Sequence, residues 1–264
     1  MNDIDRKKLI QEYYSKRASD YDRQKSRTWK SVHGFGNDVF EEILQGLRNF
    51  EDKLLLEIGV GSGRNAKPIL DKIDPHVVGL DLSKEMLKTA RAKLTAHKQS
   101  LDLILSDAEH LPLVGETFDA ILCMSTTHYF SDQETTLRNF GKQLKKNGIL
   151  IYGDLSPHEA DDIGFFETLE RTISKAHARY YKASEIKKLI ENNGFHAVRV
   201  KTIGYEKSYE ALIEDKGRYF DVSLETLQKL VQNASAKTKK QYALTDVGMT
   251  LFYTVATTVK QNVG

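Results

Sequence analysis

The sequence predicts an α/β protein built on a mostly parallel seven-stranded sheet, with helices on both faces and further helical segments capping it. Three observations carry this prediction. Between residues 53 and 153, short runs rich in Val, Ile and Leu alternate with stretches of helical periodicity. One helix per interval is the spacing of βαβ units, whose crossovers cover both faces of a parallel sheet. The glycines and acidic residues of this region follow the apolar runs directly, at the carboxyl ends of strands, where ligands bind in such sheets.

Each element has its own signal. Residues 53–58 form an apolar run that stops at glycine, and a helical stretch follows over about 64–71. Residues 76–80 make a second strand that ends at Asp81. Ser83 can cap the next helix, whose apolar residues recur at helical spacing over 85–94. Residues 101–105 and 118–124 read as the third and fourth strands, followed by a helix over about 133–144 and a fifth strand over 148–153. Beyond these come a helical stretch over 165–178 and a helix over 183–192 closed by Asn193-Gly194, a good C-cap. A sixth strand covers 196–203. Residues 206–244 read as helical, with Leu224, Leu227, Leu230 and Val231 on one face, and 249–259 return to strand.

With no repeat and no Pro/Ser-rich linker, these pieces predict one domain over 1–264. Its core is about 50–155, 183–204 and 247–260, and its caps are about 1–49, 156–182 and 205–246. The net charge of +2 lacks the basic excess of most nucleic-acid binders. The single cysteine, Cys123, permits neither an internal disulfide framework nor a cysteine-based zinc site. Residues 1–8 lack the apolar stretch of a signal peptide, and 249–259 is too short to span a bilayer, so a cytoplasmic location is expected.

The sharpest motif is Glu57-Ile58-Gly59-Val60-Gly61-Ser62-Gly63, after a strand and before a helix. Glycines allow a tight turn and a close ligand approach. The helix N-terminus behind them offers free N–H groups to an anionic group. A glycine-rich turn without a ligand is the plain alternative. A dinucleotide turn has the form G-x-G-x-x-G. Arg64 stands where its third glycine would pack helix on strand, which weakens a NAD reading. Asp81 ends the second strand, where a carboxylate can accept both ribose hydroxyls of a nucleoside; as an isolated feature it is equally a turn before Ser83. After the third strand, Ser106-Asp107-Ala108-Glu109-His110-Leu111-Pro112 places a carboxylate that can accept from an adenine amino group, although a lone loop Asp is usually a turn residue.

Residues 55–63, Gly79-Leu80-Asp81-Leu82-Ser83, the 106–112 segment and Phe118-Asp119 together resemble the ordered motifs of class I S-adenosylmethionine (SAM)-dependent methyltransferases. The likeness is greatest to the small-molecule branch that includes the ubiquinone and menaquinone biosynthesis enzymes. Residues 14–22, with Ala18 and Tyr21-Asp22, are similar to the N-terminal helix of that branch. Residues 144–148 also resemble it, although Asn147 stands where the family more often has proline. The resemblance covers 13–153, and 183–203 less closely.

It implies a Rossmann-like sheet, SAM as cofactor with S-adenosylhomocysteine (SAH) as product, and a small-molecule acceptor. Residue by residue, it implies that Glu57, Gly59, Gly61 and Gly63 surround the methionine part. Asp81 with Leu82 would hold the ribose, and Asp107 with Ala108 the adenine, covered by Met86. Ser125 would lie near the sulfonium, and Tyr21 would reach the cofactor carboxylate.

For catalysis, His128 at the exit of the fourth strand is the first candidate base, since histidine titrates near neutrality; shaping the pocket is its alternative role. Asp154 is a second candidate. The tyrosines outside the core, Tyr13, Tyr14, Tyr180, Tyr181, Tyr205, Tyr209, Tyr219 and Tyr242, suit an aromatic cap over a partly apolar substrate, or simply pack helices together. Two other functions stay open. Residues 26–35 are similar to the N-terminal segment of tRNA wobble-uridine carboxymethyl methyltransferases, and the 175–179 and 237–240 basic clusters could touch phosphates. A non-catalytic SAM- or nucleotide-binding module would keep the same glycine and acidic positions.

Overall fold

In the computed structural model, which describes residues 2–29 and 37–261, the chain begins with α1 (Asp3–Arg17), α2 (Tyr21–Trp29) and α3 (Asn37–Gly46). The alternating core is β1 (Leu54–Ile58), α4 (Ala66–Lys72), β2 (His76–Asp81), α5 (Lys84–Lys93), β3 (Leu101–Leu105), β4 (Phe118–Met124), α6 (Gln133–Gln143) and β5 (Leu144–Ser156). Then come α7 (Phe165–Ile173), α8 (Ala183–Asn192), β6 (Phe195–Ser208), α9 (Tyr209–Asp215), α10 (Leu224–Gln232), α11 (Ala236–Gln241) and β7 (Gly248–Lys260).

The seven strands form one sheet in the order β3-β2-β1-β4-β5-β7-β6. The first five are parallel; β7 inserts antiparallel between β5 and β6. Alternation along the strands explains the two covered faces. Leu55, Ala120, Leu122 and Met124 point to one side, with α3 and α4. Leu56, Ile58, Ile121 and Cys123 point to the other, with α6 and α8. Strand order reverses between β1 and β4, and the crevice at their carboxyl ends is where such sheets hold ligands. Above it, Ile10 and Tyr13 of α1 pack with Tyr129, Ala176 and Phe220, which seats the N-terminal cap over that crevice.

Three expectations shift. The helix expected over 165–178 ends at Ile173, because Ser174 turns to extended backbone. The region expected to be helical from 206 starts as strand: the long pairing of β6 with β7 carries the chain extended through Ser208. The fifth strand runs from Leu144 to Ser156, longer than its apolar centre, since β7 pairs with its far end. Part of the 26–35 segment, residues 30–35, lies outside the described residues. No helix among the described residues is long and apolar enough to cross a membrane.

Candidate active site

The glycine turn follows β1 with Gly59 at φ +68° and Gly61 at +56°, both in the left-handed region that glycine adopts without strain. At Gly59 a Cβ would collide with the Thr126 side chain, so this position has no room for a side chain. Gly63 has a different job. A Cβ there would meet Leu94 and Ala90, so its bareness lets the turn pack on α5. Asp81 ties the turn to the next strand end. Its Oδ2 accepts from Gly61 N at 2.8 Å and its Oδ1 from Ser83 N at 2.8 Å. A carboxylate has about four lone-pair positions, so acceptor capacity remains for a ligand.

One cleft joins these groups. Its wall includes Tyr21, Gly59, Gly61, Asp81, Leu82, Asp107, Ala108 and Ser125, all expected from the sequence. It encloses about 1050 Å³ with its open mouth included. Ser125 leaves β4 at φ +52°, an unusual backbone for serine, and bonds Tyr253 Oη at 3.0 Å. Strain of this kind concentrates at functional positions.

Five expected residues are not on the cleft wall. Glu57 is 1% exposed beneath the turn, where its Oε1 accepts from Asn65 Nδ2 at 3.3 Å; Asn65 is the residue that reaches the cleft. Burial pushes the Glu57 carboxyl up to about 8, the Asn65 bond opposing. Gly63 and Met86 face helix packing. His128 and Asp154 are brought together but behind the wall. Asp154 Oδ2 meets His128 Nδ1 at 2.9 Å, His128 N at 3.1 Å and Thr127 Oγ1 at 2.7 Å. Burial pushes the imidazole below its ordinary value against the pull of Asp154, so it is neutral at pH 7. The ring packs against Tyr129 at a tilt of 46°, centroids 3.9 Å apart, and it is Tyr129 that lines the cleft.

The N-terminal cap supplies wall residues that sequence reasoning missed. Lys7 of α1 donates to Asp107 Oδ2 at 2.7 Å and pairs with Glu109 at 2.9 Å. Tyr14 and Tyr129 share a hydroxyl contact of 3.1 Å. Asp22 of α2 accepts from Ser62 Oγ at 2.6 Å, holding that helix on the glycine turn. Arg64, the residue that spoiled the dinucleotide pattern, lines the cleft, and its Nη2 is a buried donor with no partner among the described residues. No local signal marks Lys7 or Lys25, because their contacts are made across the fold; Tyr14 is one of the tyrosines expected as an aromatic cap. Arg64 was visible only as a departure.

Residues 56–152 match the methyltransferase domain family. A ubiquinone biosynthesis O-methyltransferase of Parvibaculum lavamentivorans is 31% identical over 56% of this chain and 50% of its own length. Phosphoethanolamine N-methyltransferase 2 of Caenorhabditis elegans is 27% identical over 73% of this chain and 44% of its own. The chain thus spans about half the length of these two relatives. A Bacillus halodurans protein described as a methyltransferase superposes with a TM-score of 0.77 at 22% identity, over 86% of this chain and all of that one, a likeness of fold. Residues 56–152 thus carry the match to a methyltransferase domain. The chain resembles the ubiquinone biosynthesis branch that the motifs indicated.

The cleft fits SAM on its own groups: a bare turn at the switch point, a strand-end carboxylate with spare acceptor capacity, and beside the turn the Arg64 Nη2 donor, which has no hydrogen-bond partner among the described residues. Burial raises the Asp81 carboxyl to about 6, with the Ser83 and Gly61 N–H groups opposing. Ribose hydroxyls donate to the ionised form. Below about pH 6 the proton must leave before the ligand binds, so SAM affinity is expected to fall roughly tenfold per pH unit on that side and to level off above it. Calorimetric titrations from pH 5 to 8 check this. A flat profile across pH 5–7 would show that Asp81 does not accept from the ligand.

Proposed function

We propose that the chain transfers the methyl group of SAM to a small-molecule acceptor. One observation carries this reading: Asp81 bonds the glycine turn at the sheet's switch point and shares one continuous cleft with Asp107 and Ser125. In that assignment the Gly59–Gly61 turn and Arg64 take the methionine part, Asp81 the ribose and Asp107 the adenine amino group. Asp107 accepts from Lys7 in the same cleft, so α1 is drawn over the adenosine end.

Bound SAM supplies an activated methyl on sulfonium. The chain's part is to orient the acceptor and exclude water, which contributes about 7–11 kcal/mol where the two reactants are well aligned. The cleft wall also includes Tyr14, Met124, Tyr129 and Phe130. Burial pushes the Tyr14 and Tyr129 phenols well above their ordinary range, so they stay protonated and serve as donors and wall rather than bases. This favours an acceptor atom that is nucleophilic without a strong base, since base assistance is optional for such groups. His128 and Asp154, first considered as bases, then act by fixing Tyr129. A cytoplasmic setting is part of the proposal, on the single buried cysteine.

The test is turnover. Purified protein with methyl-labelled SAM and small-molecule fractions of source-cell extract is expected to yield SAH and a labelled small molecule. Label recovered only in RNA would replace the acceptor class. SAM uptake without SAH from any fraction would leave a binding module instead of an enzyme.

A further inference from the structure

Three polar side chains of α1 reach the strand ends that carry the adenosine groups. Lys7, Gln11 and Ser15 stand four residues apart, which puts them in one row along the helix. Gln11 Nε2 donates to Leu82 O at 3.1 Å, beside Asp81. Ser15 Oγ donates to Glu85 Oε2 at 3.0 Å, in the first turn of α5. The Lys7 ammonium lies 2.7 Å from Asp107 Oδ2, 2.9 Å from Glu109 Oε2 and 2.8 Å from Asp3 Oδ2 of its own helix. Glu109 is itself fixed: its Oε1 accepts from Ser131 N at 2.8 Å and Asp132 N at 3.1 Å, just before α6.

The two ends of α1 are held differently. At the carboxyl end Arg17 is 1% exposed and bonds Gln24 of α2 and Asp215 of α9. At the amino end water still reaches the tie, since the Lys7 and Asp107 side chains are 17% and 26% exposed. Ion pairs in contact with water are worth less than buried ones and are screened by salt. The Lys7 end is therefore the one that can lift while the Arg17 end stays in place.

Asp107 joins that end to the cofactor. Its Oδ1 accepts from Glu109 N at 2.9 Å, and its Oδ2 accepts from Lys7 and faces His110 Nδ1 at 3.1 Å. Of about four lone-pair positions on a carboxylate, one on Oδ1 is left for an adenine amino group. Lys7 and the adenine thus share one carboxylate. A nucleoside laid from Asp81 to Asp107 is flanked by the Gln11 contact at one end and the Lys7 contact at the other.

We infer that Lys7 is a positioning residue for the cofactor: through Asp107 and Glu109 it latches the amino end of α1 over the adenosine, and cofactor enters and leaves by breaking that latch. This rests on the SAM reading of the cleft and adds how its occupant is exchanged.

The experiment measures association and dissociation rates of SAH on the immobilised full chain by surface plasmon resonance. A latch controls both directions, so Lys7→Met is expected to raise the two rates together, each by about tenfold, the loss of one partly exposed charge-assisted hydrogen bond. A side chain that only orients Asp107 changes dissociation alone. Lys7→Arg should bring both rates back close to the wild type. Raising NaCl from about 0.05 to 0.5 M should speed both wild-type rates several-fold and leave Lys7→Met nearly unmoved. The inference is overturned if Lys7→Met associates with SAH as slowly as the wild type, or if Lys7→Arg exchanges as fast as the methionine variant. The salt series on the wild type needs no variant to fold, and rates that stay flat across it overturn the latch by themselves. A chain that takes up no SAH overturns the cofactor reading and this inference together; the other failures overturn the latch alone.

Discussion

Replacing Asp81 with alanine is expected to weaken SAM binding by about 10²- to 10⁴-fold. The figure comes from two hydroxyl donors on one carboxylate, each worth about 1.5–3 kcal/mol when the acceptor is charged. The substitution also frees Gly61 N and Ser83 N, which Asp81 holds at 2.8 Å each. The glycine turn then loses the bond that fixes it against β2, so the loss belongs at the upper half of that range. Asp81→Asn separates the two effects. It keeps the shape and one acceptor oxygen, so the turn stays close to its place while the charge is gone, and a smaller loss is expected. Calorimetry with SAM and SAH reads the affinity, and unfolding curves of both variants check that the fold is retained. A well-folded alanine variant that binds SAM within threefold of the wild type would remove the ribose assignment and most of the case for this cleft.

The parts of this site that the sequence discloses are those set by one strand end and its following turn. Gly59, Gly61 and Asp81 could be read because backbone geometry at a strand–helix junction demands glycine, and a carboxylate at the neighbouring strand end has few other uses. The central strands β1, β2 and β4 were legible for a similar reason: buried on both faces, they are near-continuous apolar runs. Glu57 and Gly63 belong to the same motif but serve it from below, one by holding Asn65 and the other by admitting Leu94. Spacing alone cannot distinguish a motif residue that touches a ligand from one that supports the turn. The cap was the illegible part. Lys7 reaches Asp107 across 100 positions and Arg17 reaches Asp215 across 198. Such pairings follow from how α1 and α2 lie on the finished sheet, and nothing near Lys7 or Arg17 in the chain announces them. His128 follows the exit of β4 as its place in the chain suggests, whereas Asp154 lies inside the longer β5, and bulky Tyr129 occupies the wall in front of them.

Arg17→Met is expected to destabilise the chain by about 3–5 kcal/mol, the usual cost of removing one partner from a buried ion pair. Arg17 is 1% exposed and joins three elements. It bonds Tyr13 in its own helix, Gln24 of α2 at 3.3 Å and Asp215 of α9 at 2.8 Å, with its guanidinium carbon 4.8 Å from the centre of the Tyr21 ring. Methionine fills part of the volume but removes the charged donor from Tyr13, Gln24 and one Asp215 oxygen. Lys25 remains on the second oxygen, so the carboxylate is not abandoned. Asp215→Asn is the harsher change, because it removes the carboxylate that Arg17 and Lys25 share. The order of severity is thus Asp215→Asn above Arg17→Met, read as free energies from urea unfolding, with the melting temperature of the methionine variant lowered by roughly 10 °C. A loss below about 1 kcal/mol for Arg17→Met, or the reverse order, would show that the cap is held by its apolar contacts and that the ion cluster is incidental to it. Because Arg17 also backs Tyr21, the variant should bind SAM more weakly even at temperatures where it is fully folded. The same contacts that hold the cap on the sheet also shape the methionine end of the cleft.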